Sequence, residues 1–326
     1  MEKTIKIGRF VFLFLLAVAS LSSCSREIQM AQAPKKMHFE VVLRSQDGDY
    51  WKTVKMGAEV AAKEFEVSLD FRGPADEADV LGQIALMEQS IQSKPDAIVL
   101  AANDYNALAD TAEKAVSLGI PVITIDSAVH SDRVTSFIGV NNYDAGQLAG
   151  EQLVKQVGTH GNVAIVSFKQ GEHNAEEREK GLMDEISKYP ALKVVSKVYG
   201  LSNRDLAGQL TRQILSTNNH VDGIVALSES SSVGAASEIQ LQGLQGTVKT
   251  ITFGSTSEEL ELLQEGVIQS TIIQNPFSIG YLGVKYAVEA AEGRKVPTLV
   301  SAGVKAIDLD NMFWSDNQKL LFPFVK

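Results

Sequence analysis

The sequence predicts an α/β protein built from two similar domains, each with a doubly wound parallel sheet. From His38 onward, short runs rich in β-branched residues alternate with segments whose apolar residues recur at helical spacing. Residues 37–326 are numerous enough for two domains of ordinary size. A weak internal repeat relates the first half of this region to the second. These observations favour two mostly parallel sheets, each with helices on both faces.

The first residues of the chain have the layout of a secretory signal peptide. A basic start is followed by an apolar core, Phe10–Ala19, and then by small residues. This apolar core is too short to span a bilayer comfortably. We therefore expect residues 1–24 to direct export across the cell membrane.

The only cysteine of the 326-residue chain, Cys24, follows this apolar run. The stretch LSSC (21–24) resembles a bacterial lipobox, whose cysteine is lipidated and becomes the mature N-terminus. The alternative is an ordinary cleaved signal with an incidental cysteine. The lipobox predicts a flexible tether over residues 25–36. It also predicts a protein attached only by its acyl chains, in the periplasm or at the outer face of the cell membrane.

The composition describes a globular chain and argues against some partners. Hydrophobic residues make up 44% of the chain and charged residues 21%. The net charge of −10 argues against nucleic acid as a partner, because a phosphate backbone repels an acidic surface. No second apolar segment approaches membrane-spanning length. With one cysteine, the chain cannot form an internal disulfide.

The first half of the chain shows the alternation of strands and helices most clearly. The strand-like runs are FEVVLR (39–44), VSLDFR (67–72), DAIVLA (96–101) and VITID (122–126). Helical spacing extends over 50–65, begins again at about Asp76, and returns in the segment that ends at LGIP (118–121). This order predicts βαβ units, whose strands run parallel.

Two pairs of segments make up the internal repeat. Residues 95–126 are similar to 221–254, since each has an aspartate, a β-branched strand, a polar turn, a helix and a second buried strand. Residues 39–59 parallel 162–182 as strand, polar loop and helix. The alternative is that any two α/β units look alike. Duplication predicts two halves that face each other across one cleft, at the carboxyl ends of their strands.

Several short motifs, in their order along the chain, carry a family resemblance. They are DYWKTVKMGAE, PDAIVLAANDYNAL, LGIPVITID, FIGVNNYDAGQLAGE, EREKGL and IIQNPFSIGYLG. From about residue 38 to its end, the chain resembles the type I periplasmic binding proteins of the ribose- and arabinose-binding kind, which also serve as effector domains of lac-repressor-like regulators. Those regulators begin with a helix-turn-helix, whereas this chain begins with a signal peptide, so the transport relative fits.

The resemblance implies two Rossmann-like domains joined by a hinge of three crossovers. We place the crossovers near 140–141, 274–275 and 303–304. The N-terminal α/β domain would then comprise residues 37–140 and 275–303, and the C-terminal α/β domain residues 141–274 and 304–326. Members of the family close on a solute by hinge motion and present the closed form to a membrane permease.

The resemblance also implies ligand contacts at the strand ends. Tyr50 and Trp51 match an aromatic pair that packs on a sugar ring. Arg44 and Asp126 match polar ligand-binding residues, and Gln274 matches a glutamine near the hinge. The further candidate ligand-binding residues are Asp49, Asp104, Ser127, Glu176, Arg178, Ser228 and Gly254.

Four positions depart from the pattern of the ribose-binding members. Ser127 and Glu176 stand where arginines are frequent, although Arg178 lies close to Glu176 along the helix. Gly254 replaces an aspartate, and Ser202 replaces a stacking phenylalanine. These changes disfavour ribose and predict a roomier pocket for a hexose, a substituted sugar or a sugar derivative. The carboxylates leave a cationic amino sugar open.

Several of these residues also have plainer interpretations. Trp51 opens a helix and could belong to the core, and Asp126 could cap a turn. Glu176 fits a solvated helix face better than a ligand site. Glu229 could cap the helix that follows it. Arg44 ends a buried strand, so we expect its charge to meet a carboxylate or a ligand.

No motif requires catalysis, a metal or a cofactor. The five histidines show no paired metal-binding spacing, and the sequence contains no GxGxxG, GxxxxGK[ST] or GxSxG motif. An acid–base pair of Asp126 and Glu176 would be possible, but nothing in their spacing demands it. We therefore expect a binding protein without enzymatic activity, metal or cofactor.

The favoured function is a lipid-anchored, monomeric solute-binding protein that captures a sugar or sugar-like molecule and delivers it to an ABC importer. The alternative is a sensor lipoprotein that reports the same class of molecule to a membrane histidine kinase or chemoreceptor. Both functions use a closing cleft, so the sequence does not separate them. A third possibility, an extracytoplasmic hydrolase, would require product release from a glycoside.

Overall fold

The structure, a computed structural model, describes residues 36–321. The signal peptide, Cys24, residues 25–35 of the tether and residues 322–326 lie outside the described residues. The described chain contains two six-stranded sheets. No helix among these residues has the length and apolar character needed to cross a bilayer.

The first sheet is parallel throughout. Its strands are β1 (His38–Val42), β2 (Ser68–Arg72), β3 (Ala97–Leu100), β4 (Val122–Ile125), β5 (Ser136–Gly139) and, late in the chain, β11 (Leu299–Ser301). Their order across the sheet is β11-β5-β4-β3-β1-β2. β3 and β4 are buried at every position, because neighbouring strands and helices cover them.

The second sheet repeats this order. Its strands are β6 (His160–Ser167), β7 (Ala191–Tyr199), β8 (Gly223–Ala226), β9 (Lys249–Phe253), β10 (Ser270–Ile273) and β12 (Lys305–Ile307). They lie in the order β12-β10-β9-β8-β6-β7, and only β12 is antiparallel to its neighbour. The two sheets therefore share one topology, which confirms the predicted fold of two similar parallel-sheet halves.

Helices cover both faces of each sheet. Those of the first half are α1 (Asp49–Glu64), α2 (Val80–Gln92), α3 (Ala109–Ser117) and α9 (Pro276–Ala291). Those of the second half are α4 (Asn142–Val157), α5 (His173–Ile186), α6 (Arg204–Thr217), α7 (Glu229–Leu241) and α8 (Ser257–Gln264), followed by α10 (Ser315–Leu321). Four buried apolar clusters result, two for each sheet.

The helix that the sequence predicts from about Asp76 begins later, at Val80. The reason is local hydrogen bonding. The Asp76 carboxylate accepts from the backbone N–H of Ala78, which forms a turn, and Asp79 then caps the helix by accepting from Gly82 N–H. Residues 73–79 are consequently a loop at the carboxyl end of β2, which becomes important at the site below.

Close packing of α1 on α9 explains two glycines. A Cβ at Gly57 would collide with the carbonyl of Phe277, and a Cβ at Gly280 would collide with the carbonyl of Val54. Only glycine lets the two backbones approach so closely. This contact fixes α1, whose first turn carries Tyr50, against the first sheet.

The chain passes between the sheets three times. It leaves the first sheet after β5, returns to it between β10 and α9, and crosses once more between β11 and β12. Each passage follows directly after a strand, at 140–141, 274–275 and 302–304. The carboxyl ends of the parallel strands in both sheets therefore lie near these passages.

Candidate ligand-binding cleft

A cavity lies at the carboxyl ends of the parallel strands of both sheets. Its volume is about 590 Å³, which is typical of small-molecule sites. Residues that follow individual strands form its wall: Arg44, Glu77 and Asp126 from the first sheet, and Phe168, Ser202, Ser228, Gly254 and Gln274 from the second. A cavity therefore lies where the strand ends predict a cleft.

Most of the predicted ligand-binding residues line this cavity. They are Arg44, Asp49, Tyr50, Trp51, Asp126, Arg178, Ser228, Gly254 and Gln274. The wall also contains Ser202, at one of the positions where a large side chain is replaced by a small one.

Three predicted positions, Asp104, Ser127 and Glu176, do not line the cavity, and local geometry explains the place of each. The Asp104 carboxylate accepts hydrogen bonds from two backbone N–H groups of its own turn, so it shapes the loop after β3. Glu176 is exposed in the first turn of α5, as its plainer interpretation holds. Ser127 is buried and hydrogen-bonded to Asp126, outside the cavity wall.

Arg44 is the centre of a buried ionic network. Its guanidinium lies 3.0 Å from Glu77 Oε2, 3.1 Å from Glu172 Oε1 and 3.9 Å from Asp126 Oδ2. It also donates to the Ser127 hydroxyl at 3.0 Å. Burial alone would lower the pKa of Arg44, but the three carboxylates raise it above its usual value. The expectation that this strand-end charge meets a carboxylate is confirmed.

Tyr50 and Asp126 are joined by a short hydrogen bond. The phenol donates to Asp126 Oδ1 at 2.5 Å, and the Ser127 hydroxyl donates to Oδ2 at 2.9 Å. Burial, and then the Asp126 charge, raise the pKa of Tyr50 well above its usual range, so the phenol keeps its proton. Asp126 itself has a φ of 59°, in the left-handed region that non-glycine residues seldom adopt. The strand end holds this carboxylate in a defined position beside the cavity.

Trp51 is both a wall residue and a core residue. Its side chain belongs to the apolar cluster that α1 forms on the first sheet, and the residue is only 5% exposed. The indole N–H donates to Glu77 Oε1 at 2.9 Å. The ring packs edge-on against Tyr50, with the planes at 86° and the centroids 5.0 Å apart. The indole N–H is therefore already used within the protein, and its ring presents apolar surface to the cavity.

Arg178 has a buried guanidinium held by neutral groups. It donates to Asn142 Oδ1 at 2.8 Å and to the Leu227 carbonyl at 2.7 Å. The guanidinium carbon, Cζ, lies 4.7 Å from the centroid of the Phe253 ring and 5.6 Å from that of Phe168. Burial lowers the pKa of Arg178 from its usual value. The aromatic faces thus orient an arginine at the back of the cavity.

Two acids on the second sheet complete the charged surroundings. Glu229, the first residue of α7, lines the cavity, and burial together with Glu77 and Asp49 raises its pKa to about 7. Glu259 is fully buried beside Gly254, and burial together with the Glu229 charge raises its pKa well above the usual range. Burial and a neighbouring carboxylate both disfavour the charged form of an acid, and therefore both raise its pKa.

Sequence reasoning missed Glu77 and Glu259, for different reasons. Glu77 was not predicted as a cavity residue because the sequence favours a helix from Asp76. In the structure this residue lies in the loop after β2. Glu259 has a visible signal, the capping box that it forms with Thr256 at the start of α8. That signal marks the start of a helix and says nothing of the cavity, so only the fold brings Glu259 to Gly254.

Contacts between the two halves border the cavity. The amide of Asn174 donates to the Ser127 hydroxyl at 3.1 Å. The Tyr105 ring lies between two imidazoles, 4.4 Å from His173 of the second half and 5.1 Å from His130 of the first. Together with the pair of Arg44 and Glu172, these contacts join the halves around the cavity.

Comparisons with known proteins agree with this architecture. The chain is 26% identical over 292 residues to the D-ribose/D-allose-binding protein of Pseudomonas aeruginosa, covering 86% of this chain and 91% of that protein. It is 25% identical over 272 residues to the D-allose-binding periplasmic protein of Escherichia coli, covering 81% and 88%.

Solved structures with the same fold include sugar complexes. A carbohydrate transporter solute-binding protein from Agrobacterium radiobacter, in complex with D-arabinose, has a TM-score of 0.85 and 28% identity and covers 89% of this chain and 100% of that one. An ABC transporter solute-binding protein from Agrobacterium vitis with bound D-fucose has a TM-score of 0.84 and 27% identity, covering 87% and 99%.

The match to a family model covers most of the chain. Residues 39–295 match the model described as a periplasmic binding protein domain. This stretch begins in β1 and ends beyond α9, so it includes the strands and helices that surround the cavity apart from α10, whose Leu320 and Leu321 also line it. The chain therefore belongs to the family of proteins that carry a periplasmic binding protein domain.

Proposed function

We propose that the chain is an extracytoplasmic, lipid-anchored solute-binding protein that captures a sugar or sugar-like molecule and delivers it to an ABC importer. The observation that carries this proposal is the cavity at the strand ends, where aromatic and hydrogen-bonding side chains from both sheets converge. Sequence relatives are named for binding D-ribose and D-allose, and solved structures of similar fold hold D-arabinose or D-fucose. Binding in such a cleft requires no reaction and no cofactor.

The sugar would lie between an aromatic wall and polar groups. Tyr50 and Trp51 supply apolar surface that suits the C–H face of a pyranose. Arg44, Asp126 and Gln274 supply donors and acceptors for its hydroxyls. The other proposed contacts are Asp49, Arg178, Ser228 and Gly254, whereas Ser127 supports Arg44 and Asp126 from behind.

The pocket would accept a ligand larger than ribose. Ser202 lines the cavity with a small residue, and the resemblance places a phenylalanine at this position in ribose-binding members. At Gly254, where those members carry an aspartate, the Glu259 carboxylate takes the space of the side chain. A hexose, a substituted sugar or a sugar derivative would occupy the space that the smaller Ser202 leaves. We therefore propose a ligand of that size.

Release of the ligand would require the halves to separate. We propose two domains, residues 37–140 with 275–303 and residues 141–274 with 304–326, that rotate about the three crossovers. Contacts such as Arg44 with Glu172 would break on opening and re-form on closure. A monomer suffices for this motion, because the cavity is built from one chain.

Attachment to the membrane would come from Cys24 and not from a spanning helix. LSSC is the stretch that supports acylation, and residues 25–36 would serve as the tether. An acylated cysteine would keep the binding domains close to a membrane partner.

A thermal-shift screen of sugars, polyols, amino sugars and nucleosides tests the proposal. A ligand at one hundred times its dissociation constant adds about 2.7 kcal/mol to the free energy of unfolding, which is readily measured. The cognate sugar should then be taken up by wild-type cells and not by cells that lack this chain. Uptake that is unchanged, with loss of a transcriptional response to the sugar, would instead favour the sensor.

A further inference from the structure

Acidic side chains outnumber basic ones around the cavity. The carboxylates that line it are Asp47, Asp49, Asp76, Glu77, Asp126 and Glu229, whereas the cations that line it are Arg44 and Arg178. Arg44 already contacts Glu77 and Glu172. The described cavity wall therefore has an excess of negative charge that its own arginines do not neutralise.

Glu229, the first residue of α7, is the lining carboxylate that the second half contributes. It is half-buried on the wall, and none of the described side chains forms an ion pair or hydrogen bond with its carboxylate. The neighbouring Ser228 hydroxyl is engaged with Ser231. The other carboxylates near Glu229, Glu77 and Asp49, repel its charge rather than compensate it.

A second carboxylate, Glu259, is fully buried behind Gly254. A Cβ at Gly254 would lie 2.8 Å from Glu259 Oε1, so the Glu259 carboxylate fills the space that a side chain at Gly254 would take. Gly254 lines the cavity. Glu259 Oε2 accepts from the N–H and the hydroxyl of Thr256, both at 3.0 Å, but the buried Oε1 has no partner among the described groups.

When Glu259 is ionised, its Oε1 has acceptor capacity that no described group uses. Burying a carboxylate oxygen without a hydrogen bond is costly, and proteins usually satisfy such groups. Glu229 presents an unpartnered carboxylate to the cavity, and Glu259 lies buried behind Gly254 of the same wall. The chemical group that suits both acids is a compact cation with several N–H donors.

We infer that Glu229, with Glu259 buried nearby, binds a protonated primary amine, so that the solute is an amino sugar or an amino polyol; we call these two acids the acid wall. This inference rests on the proposed function, because it assigns the ligand class of the same cleft. An ammonium group would donate hydrogen bonds to Glu229, and its charge would stabilise the ionised form of Glu259 behind Gly254, while the sugar ring lies against Tyr50 and Trp51. Aromatic faces beside carboxylates are a combination that favours organic cations.

A bare metal ion fits the acid wall less well. Hard cations such as Ca²⁺ need six or more oxygen ligands close together. Among the described residues, the one group of three or more potential ligands within 4.8 Å of one another is His38, Glu40 and Asp70. That group lies on β1 and β2 and is not part of the cavity wall.

Calorimetric titration of the full-length protein in detergent at pH 7 tests this inference. The probes are D-glucosamine, D-galactosamine and amino-inositols, each paired with its neutral parent and, for the hexosamines, with its N-acetyl derivative. At least one amine should bind tenfold or more tightly than its neutral partner. CaCl₂ is titrated alone as the metal probe.

Glu229→Gln and Glu259→Gln should each reduce the ratio of amine to neutral affinity at least tenfold. Glutamine also serves in a capping box, so Glu259→Gln keeps the start of α8, and Glu229→Gln provides a second test that is independent of that cap. Glu261→Gln, an exposed change on the same helix, should leave the ratio unaltered.

The outcomes separate the two proposals. If a neutral sugar binds as tightly as every amine, or if Ca²⁺ binds tightly and excludes the amine, the inferred binding of an amine is wrong. The proposed capture of a sugar is not affected by either result. Absence of binding by every sugar, amine or neutral, contradicts the proposed function and the acid wall together.

Discussion

The guanidinium of Arg44 lies 3.1 Å from the carboxylate of Glu172, and both residues are buried. Arg44 follows β1 of the first sheet, and Glu172 precedes α5 on the second. The pair therefore joins the two halves directly beside the cavity.

Removing this contact should favour an open cleft. In Glu172→Gln, Arg44 keeps Glu77 and Asp126 as partners, so the fold should survive while the link between the halves weakens. We expect small-angle scattering to give a larger radius of gyration for the ligand-free variant than for wild type. Ligand affinity should fall about three- to tenfold, because closure then has to be driven by the ligand alone. Glu176→Gln, an exposed change on α5, is the matched control, and equal radii for all three proteins would refute the role of Glu172.

Fluorescence should report closure through Trp51 alone. Trp51 is 5% exposed and lines the cavity, whereas Trp314 is 65% exposed on the segment before α10. A ligand-dependent change in emission should persist in Trp314→Phe and disappear in Trp51→Phe. If Trp51→Phe retains the full change, the signal does not come from the cavity.

Burial of Trp51 decides which substitution measures binding. Truncating a buried tryptophan to alanine costs about 3–5 kcal/mol of stability, which would mix unfolding with weak binding. Trp51→Phe keeps an aromatic wall and loses the hydrogen bond to Glu77. We therefore expect Trp51→Phe to weaken ligand binding by about 1 kcal/mol, from loss of ring area and of this hydrogen bond.

Stability should fall as the pH rises through the range in which Glu229 titrates. Its pKa is raised from the usual 4.5 to about 7 in the folded protein, so between these values the folded state binds a proton more tightly than the unfolded state. Stability from this group is present below about pH 4.5 and is lost by pH 7 to 8. Glu172 and Glu259 contribute in the same direction, because burial raises the pKa of each.

Urea unfolding at pH 5 and pH 8 measures this effect. In wild type, the contribution of Glu229 to the free energy of unfolding should fall by on the order of 2 kcal/mol from pH 5 to pH 8, since each pKa unit corresponds to about 1.4 kcal/mol. Glu229→Gln should lack this decrease. Glu261→Gln should behave as wild type. An identical decrease in wild type and Glu229→Gln would show that Glu229 is not buried against other acids.

The anchor is tested by fractionation. Cys24→Ser should abolish acylation and move the protein from the membrane pool to the precursor or the soluble pool. Ser23→Ala, a small substitution beside the cysteine, should remain in the membrane pool. A wild-type protein with no detergent-soluble membrane pool would rule out the lipobox.

The sequence predicted the fold and the strand ends well because both depend on local patterns. Alternating strands and helices, with strand-end residues such as Arg44 and Asp126, follow from periodicity and from the geometry of parallel sheets. The pairing of Tyr50 with Asp126 joins residues 76 positions apart. This hydrogen bond forms only when the fold brings the start of α1 to the end of β4, so no local sequence pattern predicts it.

The acid wall and the loop of Glu77 show where local patterns fail. A run of polar residues after β2 is compatible with a helix or a loop, and the side-chain hydrogen bonds of Asp76 and Asp79 decide between them. Glu259 looks like an ordinary capping residue until the fold places it against Gly254. In both cases the deciding contact is made after the chain has folded.

The central claim is that the cavity between the two sheets binds a sugar-like solute, and titration calorimetry of wild type and Asp126→Asn tests it most directly. Asp126→Asn keeps the size of the side chain but removes the charge that accepts from Tyr50. We expect one hexose, substituted sugar or amino sugar to bind wild type with one site per chain and more tightly than ribose. The variant should bind it at least tenfold more weakly. Ribose as the tightest ligand of a broad panel, or equal affinity of wild type and Asp126→Asn for the best ligand, would contradict the account.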